Sequence, residues 1–322
     1  MPARRRSHPG SGRDNARSLG IRIPRTDVVN TRQPGPMSVT KAVLRLAVAL
    51  CCVLLVGAPA APAIADVQSN RIHVEYVPPT NPLHQPVHDM LKERRALEKL
   101  KEIFSPFQLP IALALRIVGC DGVSNAWYQR PTVSICYEYL DEIRKHMPTE
   151  VTPAGIAPAD AVVGQFFYAV AHEMGHAMFD LLDVPVFGRT EDAADQFATY
   201  IMLQFGKESA RRLITGAAYS YQKYVKNPTV TVPLAAFSDA HGAPAQRFYN
   251  LLCIAYGADS ALFADFVKKD YLPNDRAKGC TKEYGEVTYA FHRLIGPHLD
   301  KQLAKDVLHK AWLPAQIAKP TP

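Results

Sequence analysis

The chain has 322 residues, 48% of them apolar and 21% charged, a balance that reads as globular and able to build a real core. The formal net charge of +7 sits at one end: residues 1–65 hold ten Lys or Arg and two acids, so the totals of 37 and 30 fall to 27 basic and 28 acidic beyond that point. A near-neutral remainder argues against a nucleic-acid-binding face.

Residues 1–36 are rich in Arg and Pro without apolar periodicity, so no structure is expected there. Met37 follows, a second candidate start, and then Lys41 and Arg45 precede an apolar run from Leu46 to Gly57 and the small-residue pattern Ala63-Ile64-Ala65. This is the layout of a secretory signal, with cleavage expected after Ala65. An uncleaved anchor is the alternative, but the run is shorter than the ~20 apolar residues of a spanning helix. The expectation is an exported protein, secreted or retained in the periplasm or cell envelope. It has no stable membrane association after cleavage and a single domain over residues 66–322.

Beyond a Pro-rich entry at Pro78, Pro79 and Pro82, the spacing predicts an amphipathic helix from Val87 to Phe104. Between Ile111 and Tyr139 the pattern turns β-like, with runs at Ala112–Val118 and Thr132–Tyr139 punctuated by Gly122 and Pro131, and a small antiparallel sheet is expected. After Leu140 helical periodicity dominates, over 140–147, 161–182, 191–205, 208–225, 244–256, 260–270 and 281–298. The basic side chains of 207–226 read as a solvated helix face, and the tail from Pro314 to Pro322 as loose. With no repeats or long linkers, the fold class is α+β, mostly helical.

Cys51 and Cys52 would leave with the signal; Cys120, Cys136, Cys253 and Cys280 remain. An even number in an exported chain favours disulfides, and proximity favours Cys120 with Cys136 and Cys253 with Cys280 among the three connectivities. A four-cysteine metal site is disfavoured, because no cysteine has a partner two to four positions away.

Within the predicted helix 161–182 lies His172-Glu173-Met174-Gly175-His176. Histidines four apart on a helix share one face, one turn from each other, and supply two ligands of a tetrahedral zinc site. A catalytic site takes three protein ligands and leaves a position for water. Glu173, about 100° around the helix, reaches that water without ligating the metal and is the general-base candidate. Phe166, Phe167, Val170, Met174, Ala177, Met178 and Leu181 form an apolar stripe within about 60° of one line, with both histidines on the opposite side. Core histidines would sit on the stripe. Ala169 and Gly175 beside the histidines are read as room for metal and substrate.

Thr190 is a candidate N-cap for the next helix, which opens Glu191-Asp192-Ala193-Ala194-Asp195. Glu191 and Asp195 fall at the edge of its buried stripe, while Asp192 points further outward. Glu191 is therefore the expected third ligand, and Asp195 the carboxylate that takes the free N–H of a ligating histidine. Asp180 is a further candidate for that outer role.

The pair HExxH and E-x-x-A-D resembles the gluzincin zinc metallopeptidases. With NAWY at 125–128, CYEY at 136–139, AHEMGHAMFD at 171–180, EDAADQ at 191–196 and QRFYNLLC at 246–253, residues 85–300 resemble the bacterial metallopeptidase family called domain of unknown function 4344. The resemblance implies a zincin-like fold, one Zn2+ at His172, His176 and Glu191, Glu173 as base, and a peptide or protein substrate. Gluzincins similar to thermolysin also stabilise the oxyanion with a distant histidine or tyrosine. His241, in the loop Ser238-Asp239-Ala240-His241-Gly242, is the candidate here, with Tyr249, Tyr137 and Arg247 as alternatives and His292, His298 and His309 assigned to surface helices. Two rival readings share the metal: a hydrolase acting on cell-wall amides, and an inactive metal-binding module. The base beside the first histidine argues against the module, because a closed structural site needs none.

Overall fold

A computed structural model of the protein describes residues 70–225 and 231–313. The expected signal segment, the second start at Met37 and the tail from Pro314 lie outside those residues. The chain divides into two units, Met1–Ile64 and Ala65–Pro322, and all described residues belong to the second.

A four-stranded sheet has the order β1 (Ile72–Tyr76), β2 (Leu113–Val118), β4 (Thr132–Cys136), β3 (Ala126–Gln129). The expected antiparallel sheet is corrected here. β1 with β2 and β2 with β4 are parallel, and only the β3–β4 hairpin is antiparallel. Parallel pairing needs a crossover, which α1 (Gln85–Glu93) and α2 (Ala96–Ile103) supply between β1 and β2. Leu113, Leu115, Ile117, Val133 and Ile135 are fully buried, and all of Val133–Cys136 is inaccessible, as expected of central strands covered on both faces. The helix expected from Val87 to Phe104 is two helices, because Arg95 takes the left-handed conformation (φ 51°) between them.

The Thr132–Tyr139 run is a strand only to Cys136; Tyr137 opens α3 (Tyr137–His146). Glu138 in its first turn accepts the backbone N–H groups of Cys120 and Gly122 at 3.0 and 3.1 Å. Cys120 is bonded to Cys136, and Cys253 to Cys280.

The centre of the domain is α4 (Pro158–Leu181), which packs against β3, β4, α5 (Thr190–Leu203) and α6 (Lys207–Val225). It meets α6 almost backbone to backbone. A Cβ on Gly216 would lie 2.0 Å from the Asp160 carbonyl oxygen, and one on Gly164 2.6 Å from that of Leu213. The buried pair Asp160–Arg212, 2.8 Å apart, closes the same crossing. On the far side α7 (Pro244–Ala258) packs on α5 and α6.

Of the segment expected as helix 260–270, only Ala264–Lys268 (α8) is α-helical; it is followed by Asn274–Ala277 (α9). The helix expected over 281–298 is α10 (Cys280–Ala290), then a π-helical turn at Phe291–Ile295 and a tight turn through Gly296-Pro297. Pro297 has no N–H to continue an α-helix. The last helix, α11, is Lys301–Leu308. No helix among the described residues is long and apolar enough to cross a membrane.

Candidate metal centre

His172 and His176 project from α4 one turn apart toward the first turn of α5, where Glu191 stands. Gly188, at φ 124°, turns the chain so that α5 runs back along α4. The approach is close: a Cβ on Gly175 would meet the Phe197 ring at 3.1 Å and the Ala194 Cα at 3.3 Å. Gly175 thus admits a helix, which corrects its reading as room for metal and substrate. Of the two histidines only His176 reaches open space. His172 is 3% exposed, because α4 is covered on nearly every side.

Three atoms converge. His172 Nε2 lies 3.0 Å from Glu191 Oε2 and 3.2 Å from His176 Nε2, which is 3.3 Å from the same carboxylate oxygen. Metal–ligand distances of ~2.0–2.1 Å in a tetrahedral site space the ligand atoms ~3.3–3.4 Å apart. The donor set agrees with that spacing. His172 Nδ1 sits 2.7 Å from Asp195 Oδ1, so its proton belongs there and Nε2 presents a lone pair. Two imidazole lone pairs and a carboxylate oxygen facing one point fit a cation.

Asp195 is buried and doubly held. Arg247 of α7 donates from Nη2 to Oδ1 at 2.7 Å and from Nε to Oδ2 at 2.8 Å. The guanidinium lies 5.9 and 5.5 Å from the ring centroids of Tyr168 and Tyr221. Burial alone would raise the Asp195 carboxyl, but the hydrogen bonds from His172 and Arg247 outweigh it and hold the group well below the usual carboxylate range. Without an ion, a hydrogen bond from protonated His172 Nε2 is the chief cause that brings Glu191 down to about 2. For Glu173, 8% exposed, burial dominates and pushes the carboxyl up to about 7 against the opposing charge of His172.

An open cavity of about 600 Å³ lies in front of these groups, walled by Asn125–Tyr128 of the β3 region, Glu173, His176, Phe179, Asp180, Val184, Val186, Glu191 and His241. The loop histidine His241 stacks 5.7 Å from His172, ring to ring, with Nε2 2.8 Å from Glu191 Oε2 and Nδ1 3.2 Å from Asp239. Arg189 ties this loop down by donating to the carbonyls of Asp239 and Ala240.

Glu173, His241 and the three convergent groups are thus brought together, with Asp195 behind them. Asp180 is not. Its carboxylate accepts from Tyr128 Oη at 2.5 Å and Arg130 Nη1 at 3.0 Å, with no ligand imidazole among its partners. The other candidates for the oxyanion stand outside the cavity wall: Tyr249 does not line it, Tyr137 Oη donates to the Val77 carbonyl at 2.6 Å, and Arg247 is spent on Asp195. Spacing along the chain does not reveal the positions of Arg247 and of edge strand β3, since 52 residues separate Arg247 from its partner and β3 is only four residues long. A second cluster, Cys120, Cys136 and Glu138, has metal-like spacing, but its sulfurs are bonded to each other.

A comparison with protein families matches residues 76–295 to one described as "Putative metallopeptidase". Comparisons with curated proteins and with solved structures return no match.

Proposed function

The chain belongs to this metallopeptidase family, and from that premise we propose that it is an exported, zinc-dependent peptidase with a zincin-like fold, acting on peptide or protein substrates. One observation carries the reading: three convergent ligand atoms stand beside a buried carboxylate at the mouth of an open cavity. His172, His176 and Glu191 would hold the ion, and two imidazoles with one carboxylate suit zinc. When bound, the ion supplies Lewis-acid polarisation of a carbonyl and acidifies a water.

The remaining chemistry belongs to the chain. Glu173, held near neutrality by burial, accepts a proton from the attacking water at its carboxylate and returns it to the leaving amine. His241, in the cavity wall and steadied by Asp239, donates a hydrogen bond to the developing oxyanion. Among the described residues strand β3 has a neighbour on one side only, and it lines the cavity, so an extended peptide can add along its free edge. The two disulfides support an oxidising, extracytoplasmic location.

The test is Glu173→Gln. It should keep one zinc per chain and lose peptide hydrolysis by at least ~100-fold, the usual weight of a general base. Full hydrolysis by that variant, with zinc bound, sinks the peptidase mechanism; loss of zinc from it reassigns Glu173 as a ligand.

A further inference from the structure

A second cavity, about 450 Å³, lies between α1, α2, α3, α4 and α6 and shares no lining residue with the metal-centre cavity. Its volume falls in the ~300–1,000 Å³ range of small-molecule sites. The walls are hydrocarbon: Leu91, Leu100, Phe166, Phe167, Leu213 and Trp312 are representative. Ser209 is the sole neutral side chain there with a free hydrogen-bonding group, because the Trp312 indole N–H is already given to the Val307 carbonyl at 2.8 Å. Three charged residues border it, Arg94, Lys99 and Arg144, all basic and all exposed. Among the described residues no acid pairs with any of them and none lines the cavity.

These features select a ligand class. A peptide laid in such walls would strand its backbone N–H and C=O groups without partners, at a cost of several kcal/mol that only hydrogen-bonding walls could offset. A neutral hydrocarbon would leave the three cations unused. An acyl chain ending in a carboxylate satisfies both, with nothing to hydrogen-bond along its length and a negative charge at the basic rim. We propose that this cavity binds a long-chain fatty carboxylate, with the acyl chain between α1, α2, α4 and α6 and the head group against Arg94, Lys99 and Arg144.

The chain offers its own reporter. It has two tryptophans, Trp127 at the metal-centre cavity and Trp312 in the apolar one. In a full-length Trp127→Phe background, titration with hexadecanoate below its micelle concentration should change Trp312 emission saturably, with calorimetry giving a stoichiometry of one. Replacing Arg94, Lys99 and Arg144 together by Gln should weaken hexadecanoate about tenfold, the usual sum of three exposed ion pairs, and leave hexadecanol binding unchanged. All three side chains are exposed, so the fold should tolerate the change. Absence of saturable binding overturns the proposal. Equal affinity for hexadecanol and hexadecanoate overturns the role of the basic rim. Binding seen only after residues 314–322 are deleted shows instead that the chain's own tail is the occupant.

Discussion

Replacing Asp195 by Ala separates two functions that one carboxylate performs. It removes the acceptor that fixes His172 with its proton on Nδ1, and it strips Arg247 of both its hydrogen bonds. The first loss should weaken zinc binding ~10–100-fold, as for other outer carboxylates of metal-bound histidines. The second leaves a guanidinium that is 17% exposed without a counter-charge, which costs ~3–5 kcal/mol in a fully buried setting. Partial exposure and the flanking rings of Tyr168 and Tyr221 favour the lower end, ~3 kcal/mol, or about 6–12 °C in Tm for a domain of this size. The assays are thermal unfolding in excess chelator and zinc competition against a chromophoric chelator. Adding Arg247→Met to Asp195→Ala should restore most of the stability and none of the zinc affinity. If Asp195→Ala binds zinc as tightly as the parent, the assignment of Asp195 as the group orienting His172 is wrong.

Removing the metal should lower the unfolding temperature of the parent protein and leave a Glu191→Ala variant much less affected, since ligand binding stabilises in proportion to affinity; equal responses in calorimetry would remove Glu191 from the ligand set. His241→Ala should lower kcat while retaining zinc, and loss of zinc on dialysis would make His241 a ligand instead. Gly216→Ala places a methyl group 2.0 Å from the Asp160 carbonyl and should cost at least ~3 kcal/mol by forcing α4 and α6 apart, visible as a large drop in the urea midpoint. Burial raises the Asp265 carboxyl, but the two-pronged hydrogen bond from Arg211, both contacts 2.7 Å, outweighs it and lowers the pKa. The folded group is therefore more acidic than the unfolded one. Its contribution of about 1 kcal/mol should be complete above pH ~4 and vanish as pH falls through the folded value. An Asp265→Asn variant should show less acid destabilisation than the parent, and identical pH profiles would count against the pair.

What was legible in the sequence was local and periodic. Histidines four apart on α4 and acids four apart on α5 need only helical geometry to be placed, and neighbouring cysteines pair because chain proximity favours it. Three things escaped for non-local reasons. The parallel order of the sheet depends on which strand α1 and α2 return to, and nothing in Ile72–Tyr76 or Leu113–Val118 states that. Arg95 breaks an expected helix by adopting a left-handed backbone conformation that its residue type does not announce. A position off the apolar stripe is wet on a surface helix, but α4 is central and only part of its opposite face meets the cavity, so His172, off the stripe, is still 3% exposed.

That burial bears on what the site must contain. Around His172 lie three carboxyl groups, Glu173, Glu191 and Asp195, and one compensating cation, Arg247, whose charge is committed to Asp195. With the histidines neutral, as metal ligands must be, ionisation of all three carboxyls leaves an uncompensated charge of two units around a histidine that is itself buried. Isolated buried charge is too costly to persist, and such groups either take up protons or find a partner. In the absence of a cation the first route operates: burial disfavours a charged His172, but its hydrogen bonds to Asp195 and Glu191 outweigh that and lift it to about 9, and burial lifts Glu173 to about 7. A divalent cation at the convergent atoms supplies the second route and removes the need for those protons. Zinc uptake should therefore release protons, and calorimetric titration in buffers of different ionisation enthalpy measures how many. A proton release of zero near neutral pH would mean that the histidines were already neutral and the carboxylates already ionised without the metal, and the charge argument for a divalent ion would fall.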